Sequence, residues 1–329
     1  MMNREKKRGT PNSNSANSLL IQDNQIEVLC GCDERYLRHA ATMLCSLLEH
    51  NSVSRIHIFY SGVAGVELVS LRSFVANYGS ELVCHEMAAQ DFRDLRVDKG
   101  SSLSSIANYF RLLAPRVLPS NISKILYLDS DIIVRRSLRD LWSVDLRDHA
   151  LAAVECSYWD PKEDFFVKLP SGAKYFNSGV LLINLDYWRQ NNVYERTVAF
   201  VKEYPERVNL YDQDALNAIL AFCWISLPAI WNEQARSKLS RPALRDKHVL
   251  DPAIVHFVGF DKPWYWSCNH PFRYEYHKYR RKTPWWQYKL QDKPSLPQRL
   301  IYYLRYFARM VLPGSLRQWL RLRVVTSRA

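Results

Sequence analysis

The sequence predicts an α/β fold built on a mainly parallel sheet. Short apolar or alternating runs that read as strands take turns with segments of helical spacing, as in βαβ units. The polar residues that stand out fall at strand ends, where open α/β sheets bind ligands. Hydrophobic residues make up 47% of the 329 positions, enough for a sizeable core.

The elements follow in order. Ile26 to Cys30 is a short apolar run and reads as the first strand. Leu37, Ala40, Ala41, Leu44, Leu47 and Leu48 set a helix over Tyr36 to Glu49. Arg55 to Tyr60 alternates as a strand, Val66 to Tyr78 reads as a helix, and Glu81 to His85 as a third strand. Ser105 to Leu118 is expected to be helical, with Pro119 near its stop. Lys124 to Leu128 is a buried strand that runs into Asp129-Ser130-Asp131. Leu151 to Glu155 is a further strand, and Phe176-Asn177-Ser178-Gly179 reads as a turn before the strand Val180 to Asn184. Leu185 to Tyr204 reads as a helix with a break near Asn191. Asp212 to Ala221 starts with carboxylates and continues as a helix, the order its dipole favours. Ala253 to Phe257 is a strand leading into Gly259. The apolar stretch from Ala215 to Trp231 holds Asn217 and Pro228 and is marginal for a bilayer span, so it reads as a buried helix and a strand. Asp261 to Gln291, rich in aromatic and basic residues, resists assignment.

This divides the chain into a disordered arm (1–25), a catalytic domain (26–265), an aromatic and basic extension (266–295) and a basic tail (296–329). The arm is charged, then Asn/Ser-rich, with no apolar run of the kind an export signal needs. The tail holds seven arginines and no acid, so it supplies +7 of the net +12. The body is therefore only mildly basic, which argues against a nucleic-acid partner. Leu300, Leu304, Phe307, Ala308 and Val311, then Leu316 and Leu320 beyond Pro313-Gly314, give two short helices with one apolar and one cationic side. Such helices are expected in an anionic membrane interface, and a C-terminal helix docked on the domain is the plain alternative. The seven cysteines are odd in number and form no CxxC pair, which suits free thiols in a reducing cytosol. The expected location is the cytoplasmic face of the inner membrane, held peripherally.

The chemistry centres on Ile125-Leu-Tyr-Leu-Asp129-Ser-Asp131, an apolar strand that delivers two carboxylates. Oxygen ligands of this kind suit Mg²⁺ or Mn²⁺, which can offset charge on a departing diphosphate. A solvated acidic turn is the plain alternative. The Asp-x-Asp nucleophile loop of haloacid-dehalogenase-type phosphatases is a second, but it carries a small hydroxyl residue soon after, where this chain has Ile132, Ile133 and Val134.

Three further stretches join the aspartates in order: Tyr175-Phe-Asn-Ser-Gly-Val-Leu-Leu-Ile-Asn-Leu185, Asp212-Gln213-Asp214, and His256-Phe-Val-Gly-Phe-Asp-Lys-Pro-Trp264. Together they make the sequence resemble glycosyltransferase family 8 over roughly residues 26 to 265. The resemblance implies a GT-A fold, a UDP-hexose donor, galactose or glucose, and a glycan acceptor, since many bacterial members build lipopolysaccharide cores. It implies that Asp129, Asp131 and His256 hold Mn²⁺ or Mg²⁺, and that Gly259 and Lys262 clamp the diphosphate. Gly31, Asp33 and Tyr36 would form the uridine pocket, with Ser130 and Arg111 also on the nucleotide. Asn177, Asp212 and Gln213 would hold the donor hexose, the last two nearest the reacting carbon. Taken without the family, His256 is a buried strand histidine, Tyr36 a core aromatic, Arg111 a surface helix charge, and Asp33 and Asp212 helix caps.

The family retains anomeric configuration, yet the chain offers no evident carboxylate nucleophile of the kind a retaining glycosidase needs. A front-face substitution follows as the expected mechanism. Two other functions fit parts of the sequence. A sugar-phosphate nucleotidyltransferase would begin with a Gly-rich phosphate loop, which Gly31-Cys-Asp-Glu-Arg is not. A non-enzymatic basic protein on membrane or nucleic acid would have no need of Asp129 and Asp131.

Overall fold

The structure is a computed structural model that describes residues 26–92, 95, 105–160, 167–234 and 251–298. The arm expected over 1–25 and the tail from 299 onward lie outside the described residues.

A seven-stranded sheet forms the centre, in the order β3-β2-β1-β4-β7-β6-β8. Its strands are β1 (Ile26–Asp33), β2 (Val53–Ser61), β3 (Glu81–Glu86), β4 (Lys124–Leu128), β6 (Leu151–Glu155), β7 (Phe176–Asn184) and β8 (Trp224–Leu227). The pairs β3/β2, β2/β1, β1/β4 and β6/β8 are parallel. Only β7 runs against both its neighbours, β4 and β6. A second, two-stranded antiparallel sheet pairs β5 (Ile132–Val134) with β9 (Ile254–His256).

The central strands are buried on both faces, and their side chains alternate between two cores. Val28, Cys30, Leu126, Leu128, Val180 and Leu182 face helix α1 (Leu37–His50). Leu29, Ile125, Tyr127, Leu181 and Ile183 face the other way, onto Tyr109, Phe110, Trp188 and Leu216. Each fully buried large apolar side chain contributes roughly 1.5–3 kcal/mol, so both layers hold the sheet. Among the described residues the other α-helices of six residues or more are α2 (Gly65–Ala76), α3 (Leu185–Gln190), α4 (Val193–Glu203), α5 (Asp212–Ile219) and α6 (Arg273–Arg280). The break between α3 and α4 comes at Asn191 and Asn192, where Asn192 takes φ 49°.

Three segments differ from the sequence expectation. Residues Ile106–Leu113 form a 3-10 helix rather than an α-helix, with α-helical geometry only over Ala114–Val117. Pro115 has no N–H to give the Arg111 carbonyl, and Tyr109, Phe110, Arg111, Leu112 and Leu113 are all buried, so packing overrides the helical period. Phe176 to Gly179 is not a turn but the start of β7. Its polar residues mislead, because long-range partners pair the backbone there: Asp129 N donates to Gly179 O at 2.9 Å, and Cys156 N to Tyr175 O at 2.8 Å. The unassigned region contains α6, which packs on α1. Tyr276 and Tyr279 hydroxyls meet His39 Nδ1 at 2.6 Å and His50 Nε2 at 2.9 Å. Among the described residues no helix is long and apolar enough to cross a membrane.

Candidate active site

The site forms where β1 and β4 end and β7 begins. Ser130 Oγ donates to Gly31 O at 2.7 Å, which ties the Asp129-Ser-Asp131 turn to β1. β5 follows at once and pairs with β9 in a register that sets Ile132 opposite His256. Phe257 N donates to Asp131 O at 3.0 Å and fixes that alignment. Two segments far apart in sequence therefore bring three ligand-type side chains together. His256 Nε2 stands 3.3 Å from Asp131 Oδ1 and 3.7 Å from Asp129 Oδ2. One ligand atom from each residue lies within 4.8 Å of the others. Two carboxylates and an imidazole fit a divalent cation such as Mn²⁺ or Mg²⁺.

Burial works to raise the Asp131 carboxyl, but Lys262 and then His256 outweigh it and hold the group well below the usual carboxylate range. Lys262 is itself buried, its ammonium held by Asp131 Oδ2 and, at 2.6 Å, by the Phe257 carbonyl. Gly259, between His256 and Lys262, takes φ 70°, a backbone region that side chains disfavour.

Arg111 is buried at the back of the cleft. It donates to Asp129 Oδ1 at 3.1 Å and to Ser178 O, and its guanidinium lies 4.2 Å over the Tyr127 ring. Its Nε sits 3.0 Å from Asp212 Oδ2, an ion pair too bent to be a hydrogen bond. Burial raises the Asp212 carboxyl to about 7, against the pull of Arg111 and with Asp129 adding to the rise. Tyr127 also donates to Asp129 Oδ1, at 2.8 Å.

Helix α5 is docked on β7 by Asn217, which takes the Phe176 N–H at 2.8 Å and donates to the Phe176 carbonyl at 2.9 Å. Just before the helix, Tyr211 adopts φ 52°, ψ −124°, nearly closed to a bulky residue, with its ring edge-on to Tyr109. The turn presents Asp212 and Gln213 to the cleft. Gln213 Oε1 accepts from Ser178 N at 2.9 Å and from Asn177 Nδ2 at 3.1 Å.

Of the residues singled out in the sequence, Gly31, Tyr36, Arg111, Asp129, Ser130, Asp131, Asn177, Asp212, Gln213, His256, Gly259 and Lys262 line this one cleft. Asp33 does not. Its carboxylate accepts from Tyr36 N at 3.1 Å, from Ser105 Oγ at 2.9 Å and from Arg35 at 2.8 Å, which closes the turn between β1 and α1. Arg111 is no surface charge. Sequence reasoning passed over Tyr127, Tyr158, Ser178 and Asn232. Tyr127 and Ser178 lay inside the stretches already marked, whereas Asn232 offered only its place after an apolar run.

With this geometry in hand, comparison with known proteins is direct. The sequence profile described as glycosyl transferase family 8 matches residues 27–267. General stress protein A of Bacillus subtilis (strain 168) is 31% identical over 278 residues, covering 80% of this chain and 96% of that protein. Lipopolysaccharide glucosyltransferase WaaO of Escherichia coli (strain K12) is 26% identical, covering 82% and 84%. The crystal structure of the galactosyltransferase LgtC with donor and acceptor sugar analogs superposes with a TM-score of 0.68 at 22% identity, covering 83% and 99%, a likeness of fold. The match spans most of the chain and includes every strand of both sheets, so this protein belongs to glycosyl transferase family 8 and has its GT-A fold.

Proposed function

We propose that the enzyme transfers a hexose, galactose or glucose, from a UDP-sugar to a glycan, with retention of anomeric configuration and with help from a divalent metal. The observation that carries this reading is the convergence of Asp129, Asp131 and His256 in the same cleft as Asn177, Asp212 and Gln213. Asp129, Asp131 and His256 would hold Mn²⁺ or Mg²⁺, which when bound supplies Lewis-acid stabilisation of the leaving diphosphate. Gly259 and Lys262 receive the diphosphate at the cleft edge, where the glycine permits close approach and the lysine supplies a point charge. Gly31, Ser130 and Tyr36 take the nucleoside. Arg111 holds Asp129 and Asp212 in place and adds positive charge near the reacting centre.

Asn177, Asp212 and Gln213 read the hexose hydroxyls. Gln213 is a poor nucleophile: its oxygen already accepts from Asn177 and Ser178, and its Nε2 donates to Tyr175 at 3.1 Å. This favours front-face substitution, in which the acceptor hydroxyl attacks from the side the diphosphate leaves and passes its proton to the departing phosphate oxygen. Positioning and charge stabilisation then supply the catalysis. The lipopolysaccharide relative supports a lipopolysaccharide core or similar glycan as acceptor. The basic tail would hold the enzyme on an anionic membrane on the cytoplasmic side.

The test is Mn²⁺-dependent release of UDP from UDP-galactose and UDP-glucose without acceptor. The wild type is expected to hydrolyse one of them slowly, and Asp131→Ala to lose at least about 100-fold, on the scale of removing a charge-stabilising group. Release that Asp131→Ala leaves unchanged contradicts the metal-assisted reading, and no release by the wild type from any UDP-sugar favours a basic binding protein. Release of pyrophosphate from UTP and a sugar phosphate points instead to nucleotidyl transfer. A sugar trapped covalently on Asp212 or Gln213 overturns the front-face route.

A further inference from the structure

His256 turns one ring nitrogen to the two carboxylates and the other to Asn232. The Nδ1 lies 3.1 Å from Asn232 Oδ1. Asn232 is 1% exposed, so no bulk water competes for it.

Fixed donors further along decide which ring nitrogen carries the proton. A backbone N–H can only donate. Gly179 N–H meets an Asn177 side-chain atom at 3.0 Å, so that atom is Oδ1. Ser178 N–H meets a Gln213 atom at 2.9 Å, so that atom is Oε1. Asn177 Nδ2 then donates to Gln213 Oε1 at 3.1 Å, and the two assignments agree. The Asn232 atom 2.8 Å from Asn177 Oδ1 must be a donor, Nδ2. That leaves Asn232 Oδ1 facing His256, and Nδ1 must hold the proton. The far end points the same way. Gln213 Nε2 donates to the Tyr175 hydroxyl at 3.1 Å, and that hydroxyl to Asp214 Oδ1 at 2.6 Å. Asp214 Oδ2 takes the N–H groups of Asn209 and Leu210, each at 2.7 Å. Every side-chain bond in the row donates away from His256, and the row ends on a carboxylate.

We infer that Asn232 is a positioning residue: it sets His256 as the Nδ1–H tautomer, turns the Nε2 lone pair towards Asp129 and Asp131, and joins that setting to Asn177 and Gln213. The opposite tautomer would aim an N–H at Asp131 and close the ligand position. Partners of this kind orient a ligating histidine and are worth 10–100-fold in metal affinity. The inference rests on the metal reading for its purpose, whereas the tautomer belongs to the metal-free chain.

The experiment uses the full chain with ¹⁵N-labelled histidine. Long-range ¹H–¹⁵N spectra of the metal-free protein, at a pH where the ring is neutral, report the tautomer, and titration with Mn²⁺ alone reports affinity. The wild type is expected to show Nδ1–H. Asn232→Leu is expected to show mixed tautomers and a Mn²⁺ Kd weaker by about 10–100-fold. Asn232→Asp still accepts from Nδ1–H, so it keeps the tautomer and restores most of the affinity. It cannot donate to Asn177, so its KM for the nucleotide-sugar rises. The Nε2–H form in the wild type overturns the inference without any variant. So does Asn232→Leu with the wild-type tautomer and a Kd within about twofold, well short of that effect. A wild type that shows Nδ1–H but binds no Mn²⁺ sinks the metal reading and leaves the tautomer assignment standing.

Discussion

Gly179 has no side chain where one would collide with two of the three candidate ligands. A Cβ there would stand 2.2 Å from His256 Cε1 and 2.7 Å from Asp129 Oδ2. The backbone is ordinary strand, so the glycine serves close approach and not a special φ. Gly259 is the opposite case, with open space around its Cβ position and a positive φ. Gly179→Ala is expected to displace the imidazole and cost about 1–3 kcal/mol of stability. Metal-dependent UDP release should fall more than about tenfold, because the ligand cluster is spread. Thermal unfolding and UDP release measure the two effects, and wild-type release from the alanine variant would show that the ring has room to move.

At the scale of elements, the unassigned C-terminal region is fastened to α1 by imidazoles. His39 stacks on Trp264 with ring centres 3.7 Å apart and bonds to Tyr276. His277, on α6, is pushed down to about 4 by burial first and then by Arg280, Arg273 and Arg281. His39 is pushed well down by burial and then by Arg38. A folded-state pKa below the unfolded value means the unfolded chain binds more protons between the two. The contribution of His277 is complete above pH 6.5 and is lost as pH falls towards about 4. The melting temperature should therefore drop across that window. His277→Leu cannot be protonated there and should show a smaller drop, and an equal drop in both proteins contradicts this account. The same region was opaque in the sequence because its aromatic and basic residues follow no helical stripe. Tyr276 and Tyr279 are buried by contact with α1, not by a local pattern.

For the whole molecule, the charge is uneven, with +7 of the net +12 on the last residues. If the tail is the membrane anchor proposed above, a chain ending near Leu296 should lose sedimentation with anionic vesicles yet keep donor hydrolysis. Binding to vesicles by the shortened chain would move the anchor to the body. The cluster of two carboxylates and an imidazole is also a whole-molecule feature. Asp129 and Asp131 follow a run of buried residues that any reader of the sequence can see, but their neighbour His256 reaches them only through the pairing of β5 with β9.

Apolar periodicity and strand-end polarity are local signals, so the sequence by itself determined the alternation of strands and helices, most strands, and the placing of Gly31, Asp129 and Asp131 at strand ends. The other cleft residues were expected only through the resemblance to the family. Sequence reasoning missed the three-residue strand β5, read the start of β7 as a turn, and expected an α-helix where Arg111 is turned inward. Those depend on partners many residues away, and local propensity carries no information about them. The bonds that Asp33 makes across the turn after β1, the ion pair of Arg111 with Asp212 and the row from His256 to Asp214 likewise depend on the folded chain. Each requires side chains from separate strands to meet in a buried space, where fixed backbone donors choose which atom faces which.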